Sequence, residues 1–109
     1  MRMWNVSPKQ MCNQHLLGEH VECHMFVGCL NKDMSLKGYL NNGLLEIHNL
    51  RKRHDLIAKE MKIRNMKHES ELEDFKVVKA GKINSKISHD DLIKRCKDCR
   101  SLMWNTQKK

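Results

Sequence analysis

Three side chains near the start of the chain could do acid–base chemistry together. His15, Glu19 and Glu22 recur at spacings of four and three, and at about 100° per helical residue they fall on one flank within about 60° of each other. That flank borders an apolar stripe of Cys12, Leu16, Cys23, Val27 and Leu30, while Asn13, His20 and His24 turn toward solvent. Carboxylates and an imidazole at the edge of a core cost free energy unless paired, and such positions also shift pKa values toward acid–base work. Two readings stand side by side. Either the trio serves catalysis, or Glu19 and Glu22 pair with bases from the second half and His15 is a satisfied core residue.

A nucleophile is harder to find among the side chains. The chain has no Walker loop, G-x-G-x-x-G, nucleophile elbow or EF-hand. An α-amine titrates near 7.7–8.0, so part of it is a neutral nucleophile at physiological pH. Arg2 is too bulky for ready removal of the initiator residue, so Met1 is expected to keep that amine. Seven His and five Cys raise the question of a metal. Cys96-Lys97-Asp98-Cys99 has ligand spacing, but no second C-x-x-C exists, and His89 could approach only as a distant third ligand where structural zinc takes four. Residues three apart on one helix share a face, so Cys96 and Cys99 read as core residues. His20 and His24 lack the Glu of an H-E-x-x-H arrangement. No metal and no cofactor are expected, and five cysteines without a secreted-style framework point to reduced thiols.

These groups must be carried by a small domain. The chain has 109 residues, 12.9 kDa, a formal charge of +8 and a mean hydropathy of −0.71, too little for a Rossmann sheet or a TIM barrel. Residues 1–50 hold four bases and four acids, and 51–109 hold seventeen bases and nine acids, so the excess charge lies wholly in the second half. That imbalance reads as the footprint of a polyanion partner, the alternative being a solvated basic surface with no partner. No run reaches the roughly 18–20 apolar residues that span a bilayer, and the start lacks a signal-peptide core, which predicts an intracellular, cytoplasmic protein with no membrane partner.

Ser7-Pro8-Lys9-Gln10 reads as a capping box with proline at the first helical position, opening a helix that runs to about Leu30. A short helix over Ser35–Asn42 closes at Gly43. A third lies within Leu44–Arg64, with Leu50, Leu56 or Ile57, Met61 and Leu45 inward and Arg51, Lys52, Lys59 and Lys62 outward, capped at Asn65. From His68 to Lys86 periodicity fades, and Phe75–Val78 reads as loop or extended packing. A last helix begins at Ser88 with Asp91 completing an S-x-x-D box, and buries Leu92, Ile93, Cys96, Cys99 and Leu102 or Met103. The expectation is one all-α domain, residues 1–109, a compact single-layered bundle of three to four helices with irregular connections.

The opening stretch, with Gln14-His15-Leu16-Leu17-Gly18-Glu19-His20-x-Glu22 at its centre, resembles the N-terminal helix of the pyrimidine-dimer DNA glycosylase/AP-lyase family, the phage endonuclease V type and its bacterial relatives. A second block agrees: Arg53-His54-Asp55-Leu56-Ile57-Ala58-Lys59-Glu60-Met61, then Arg64-Asn65, His68, Ser70 and Leu72, is similar to R-H-x-x-(L/I)-x-x-E-M-x-x-R-G-x-x-H-x-S-P-L. The resemblance implies a compact helical fold and a DNA repair enzyme acting on pyrimidine-dimer or abasic sites in duplex DNA. The α-amine of the first residue, here Met1, would attack deoxyribose C1′ and form an imine that permits β-elimination. Glu22 matches the glutamate that stabilises the cationic sugar or imine, His15 a histidine near the sugar, and Arg2 an arginine directed at phosphate. Glu22 should act across the sugar rather than in a tight ion pair with Met1. Gln14, Glu19 and His54 are supporting positions.

Departures accompany the matches. Val21 and Met25 stand where relatives carry arginines, Asn65 replaces a glycine, and of an aromatic-rich tail only Trp104 remains. AP-lyase chemistry is therefore better supported than dimer specificity. Arg51, Lys52 and Arg53 are the first candidates for phosphate contact, with Arg2, Lys94, Arg95 and Arg100 behind them; the alternative for the 51–53 cluster is a solvated helix start. Such a protein is expected to work as a monomer in the cytoplasm or nucleoid, in the host cell if phage-encoded. The competing reading is a non-catalytic DNA-binding or accessory protein that keeps the fold.

Overall fold

Pro8 does open a helical turn, but a short one. In the computed structural model, which describes residues 1–67 and 71–107 with side chains as far as Met103, Pro8–Gln10 is a single 3-10 turn. Ser7 makes no side-chain cap there, and Met11 is extended. Met11 and Cys12 are buried, and the break turns both inward. The first long helix, α1, then spans Asn13–Asn31 with Cys12 at its N-cap. It is followed by α2 (Lys37–Asn41), a 3-10 turn at Ile47–Asn49, α3 (Leu50–Ile63), α4 (Ser85–Arg95) and α5 (Lys97–Gln107). No strand occurs among the described residues, and the protein is all-α. Among the described residues no helix is long and apolar enough to cross a membrane. The motif positions His68 and Ser70, and the Trp104 side chain, lie outside the described residues.

α1 packs along α3, and the α3 faces follow the expected pattern: Leu50, Ile57 and Met61 are buried, and Arg51, Lys52, Lys59 and Lys62 are exposed. Leu56 is the outward member of its pair. Asn65 takes a left-handed φ of 60°, the conformation a glycine would otherwise supply, and Gly43 does the same at φ 69° after α2.

The last helix is two helices. Asn84, not Ser88, caps α4, its side chain accepting from the Ile87 N–H at 3.1 Å. Cys96 is extended and separates α4 from α5. Ser88 and Asp91 do share a helix face, but they use it to hold Arg2. The loop between α3 and α4 is clamped by buried Glu46, whose carboxylate accepts from the Ile83 N–H at 2.7 Å and from Asn49 Nδ2 at 2.8 Å. Gly81 sits in that loop at φ 90°, and a Cβ there would lie 1.9 Å from the Leu45 carbonyl oxygen.

Two apolar clusters result. One gathers Met3, Cys23, Phe26, Val27, Leu45 and Leu50; the other gathers Trp4, Met11, Leu16, Ile57, Leu92 and Met103. α1 contributes to both, so it is enclosed over more than one face.

Candidate active site

The start of the chain is built into the core. Adjacent residues Met3 and Trp4 enter different clusters, as successive side chains of extended backbone do. The Met3 N–H donates to the Leu44 carbonyl at 2.7 Å, the Ser88 hydroxyl donates to the Trp4 carbonyl, and Arg53 Nη1 donates to the Val6 carbonyl at 2.6 Å. Arg2 adds a fourth tie. Its guanidinium lies 3.8 Å over the Trp4 ring, donates to Ser88 Oγ at 3.2 Å and sits 3.6 Å from Asp91. Burial lowers its pKa from the ordinary value; Asp91 opposes the shift and Arg95 adds to it.

This anchoring brings the chain start to α1. Glu22 Oε2 accepts the backbone N–H of Arg2 at 3.3 Å. Covalent geometry keeps the Met1 amine within about 3.7 Å of that nitrogen, so amine and carboxylate are no more than about 7 Å apart. Among the described residues no carboxylate forms an ion pair with the amine. Met1 and Glu22 are both partly buried. Neighbouring Cys23 is buried, and its thiol is pushed up by burial and then by the charge of Glu19, so it stays protonated and unreactive.

The other members of the flank separate from this pair. Glu19 is fully buried in a forked ion pair with Arg53: Nε donates to Oε2 at 2.5 Å and Nη2 to Oε1 at 2.9 Å. The pairing reading was right for Glu19, and Arg53 is corrected from phosphate contact to core ion pair because its guanidinium is enclosed. His15 lies about 10 Å along the helix from Glu22 at 1.5 Å per residue. Its Nδ1 faces Cys12 Sγ at 3.2 Å and Cys99 Sγ at 3.7 Å, and its ring meets Trp4 edge-on. Gln14 is exposed beside them.

His20 and His24 do not face water as expected. His20 is buried and His24 partly so, because α3 covers that side of α1, and both rings lie 4.9 Å from His54. His54 is thus across α1 from Glu22. This trio could hold a metal, as could Cys12, His15, Cys96 and Cys99. Sequence spacing could not show either set, since each joins segments far apart in the chain.

Of the remaining basic candidates, Arg51 donates to the carbonyls of Leu72 and Glu73 and approaches Asp74, and Arg100 donates twice to the Ile93 carbonyl. Both are exposed but committed to the protein, as is Arg2. Lys52, Lys94 and Arg95 are exposed. On α1, Leu17, Val21 and Met25 form an exposed apolar row at helical spacing.

The architecture is therefore a basic all-α domain that locks its own first residues beside a carboxylate of its longest helix. A family profile described as pyrimidine dimer DNA glycosylase matches residues 1–74, which take in the anchored start and α1 to α3. The chain belongs to that DNA glycosylase family. No curated protein and no solved structure matches it.

Proposed function

We propose that the protein is a DNA glycosylase with AP-lyase activity on damaged duplex DNA, using the Met1 amine as nucleophile and Glu22 as the catalytic carboxylate. The observation that carries this is the Glu22 bond to the Arg2 N–H, one residue from the amine. In the reaction, the amine lone pair forms a bond to C1′ and the base leaves with the electrons of its glycosidic bond. Loss of a proton from nitrogen and opening of the sugar ring give an imine. Removal of a C2′ proton then expels the 3′ phosphate. Glu22 stabilises the cationic sugar and accepts a proton, a role suited to a carboxylate near the amine but outside ion-pair contact. Exposure of the sugar requires the nucleotide to leave the stack, and Lys52, Lys94 and Arg95 are the phosphate contacts proposed to support this.

Borohydride reduction on abasic-site DNA tests the reading. The expected result is a covalent adduct mapping to the Met1 amine, lost when residues precede Met1. Glu22→Gln should keep DNA binding and lose strand cleavage. Folded protein that gives no adduct would instead favour the non-catalytic DNA-binding reading, which the exposed apolar Val21 and Met25 also suit.

A further inference from the structure

Cys12, His15, Cys96 and Cys99 come from the two ends of the chain, yet their ligand atoms all lie within 4.8 Å of one another. We infer that these four residues form a structural zinc site, closing the start of α1 onto the junction of α4 and α5. The spacing within the cluster fits the ion. A tetrahedron with Zn–S about 2.3 Å and Zn–N about 2.05 Å has S···S edges of about 3.8 Å and S···N edges of about 3.6 Å. Cys12 Sγ is 3.7 Å from Cys96 Sγ, and His15 Nδ1 is 3.2 Å from Cys12 Sγ and 3.7 Å from Cys99 Sγ. A disulfide needs sulfurs about 2.05 Å apart, so the thiols are spaced for a shared ion rather than for each other.

The backbone is arranged for thiolates. Cys12 caps α1 and Cys96 immediately precedes α5, so C-x-x-H and C-x-x-C each begin at a helix N-terminus, where the dipole favours negative sulfur. The Cys12 N–H donates to Cys99 Sγ at 3.1 Å, and the Cys99 N–H to Cys96 Sγ at 3.3 Å, the outer hydrogen bonds that fix and tune metal-bound sulfur. Cys12 and Cys99 are buried, and Cys96 and His15 partly so. Three soft thiolates and one imidazole select zinc among abundant divalent ions, and four protein ligands leave no open position. The role is therefore structural. The site gives the segment beyond residue 74 a purpose, because that segment supplies two of the ligands, and the ring of His15 that would bind the ion braces Trp4.

The inference is independent of the chemistry at Met1, and Glu22→Gln should leave metal content unchanged. Full-length protein purified under reducing conditions should carry about one zinc per chain. Replacement by cobalt should give the intense visible bands of a tetrahedral site with thiolate-to-cobalt charge transfer, and X-ray absorption should show three sulfurs and one nitrogen. Cys96→Ser should lose the metal, His15→Cys should retain it, and Cys29→Ser, outside the cluster, should change nothing. If Cys96→Ser does not fold, the wild-type stoichiometry and cobalt spectrum decide alone. A folded wild-type chain that takes up no added zinc, iron in place of zinc, or zinc lost in His24→Ala but kept in Cys96→Ser would overturn the assignment.

Discussion

Replacing Arg53 by Met distinguishes a buried structural arginine from a phosphate contact in one variant. The Arg53 side chain is 4% exposed and that of Glu19 is 0% exposed. Arg53 makes the fork to Glu19, the bond to the Val6 carbonyl and a 3.2 Å contact to Met11 Sδ. Met fills much of the volume but leaves a buried carboxylate without its cation and a carbonyl without its donor. Breaking one partner of a buried pair costs about 3–5 kcal/mol, a large share of the roughly 5–15 kcal/mol available to a domain. At roughly 4–8 °C per kcal/mol for a domain near this size, Tm should fall by about 12–40 °C. Adding Glu19→Met should recover most of the loss, since the apolar pair leaves no unpaired charge. Thermal and urea unfolding of both single variants and the double give the cycle. DNA affinity measured across salt, at a temperature where the variant is folded, should keep its slope. A Tm change under about 3 °C with a salt slope reduced by about 0.9 would refute the structural assignment and return Arg53 to the phosphate contacts.

Gly81→Ala should destabilise by more than about 2 kcal/mol in urea unfolding, because the added Cβ meets the Leu45 carbonyl at 1.9 Å and the backbone holds φ at 90°; an unchanged midpoint would show that this loop is free to move. Lys52→Gln, Lys94→Gln and Arg95→Gln should leave Tm unchanged, and each should lower the slope of log affinity against log salt by about 0.9 in fluorescence anisotropy with duplex DNA. Val21→Arg, at an exposed site on the same helix as Glu22, should raise affinity and steepen that slope by a similar amount; no change would place this face away from DNA.

The local signals were legible where one segment decides them. Gly43 and Asn65 end helices as their backbone freedom predicts, and Leu50, Ile57 and Met61 lie inward on α3. Errors arose where a second segment intervenes. His20 and His24 lie on the flank of the apolar stripe away from Glu22, and the packing of α3 covers that flank. Ser88 and Asp91 carry the spacing of a cap, but Arg2 arrives from the other end of the chain and takes both. Cys96 breaks what reads as one continuous helix; Pro and Gly, the usual signs of a break, are absent there, and its neighbours Cys12 and Cys99 are distant in sequence or across the break. For the proposed site, helical spacing and resemblance singled out Glu22. Its geometry with the chain start was not legible, because three buried residues and their carbonyl partners set it.

The basic residues also divide by type in a way that charge counting does not show. Five of the six arginines, Arg2, Arg51, Arg53, Arg64 and Arg100, donate hydrogen bonds inside the protein, where a planar fork with several donors can join elements that a single ammonium cannot. Arg64 shows this most fully, reaching Glu60, Asn13 and the Pro8 carbonyl at about 3 Å each and so tying α3 to the turn before α1. Every lysine among the described residues is exposed. The charge left for a polyanion is therefore mostly lysine: hydrated, mobile point charges that attract a phosphate backbone without dictating its geometry. Arginine holds the scaffold and lysine supplies the field; on the function proposed above, discrimination of a damaged nucleotide would fall to the neighbourhood of Met1 and Glu22 rather than to the lysine-rich surface.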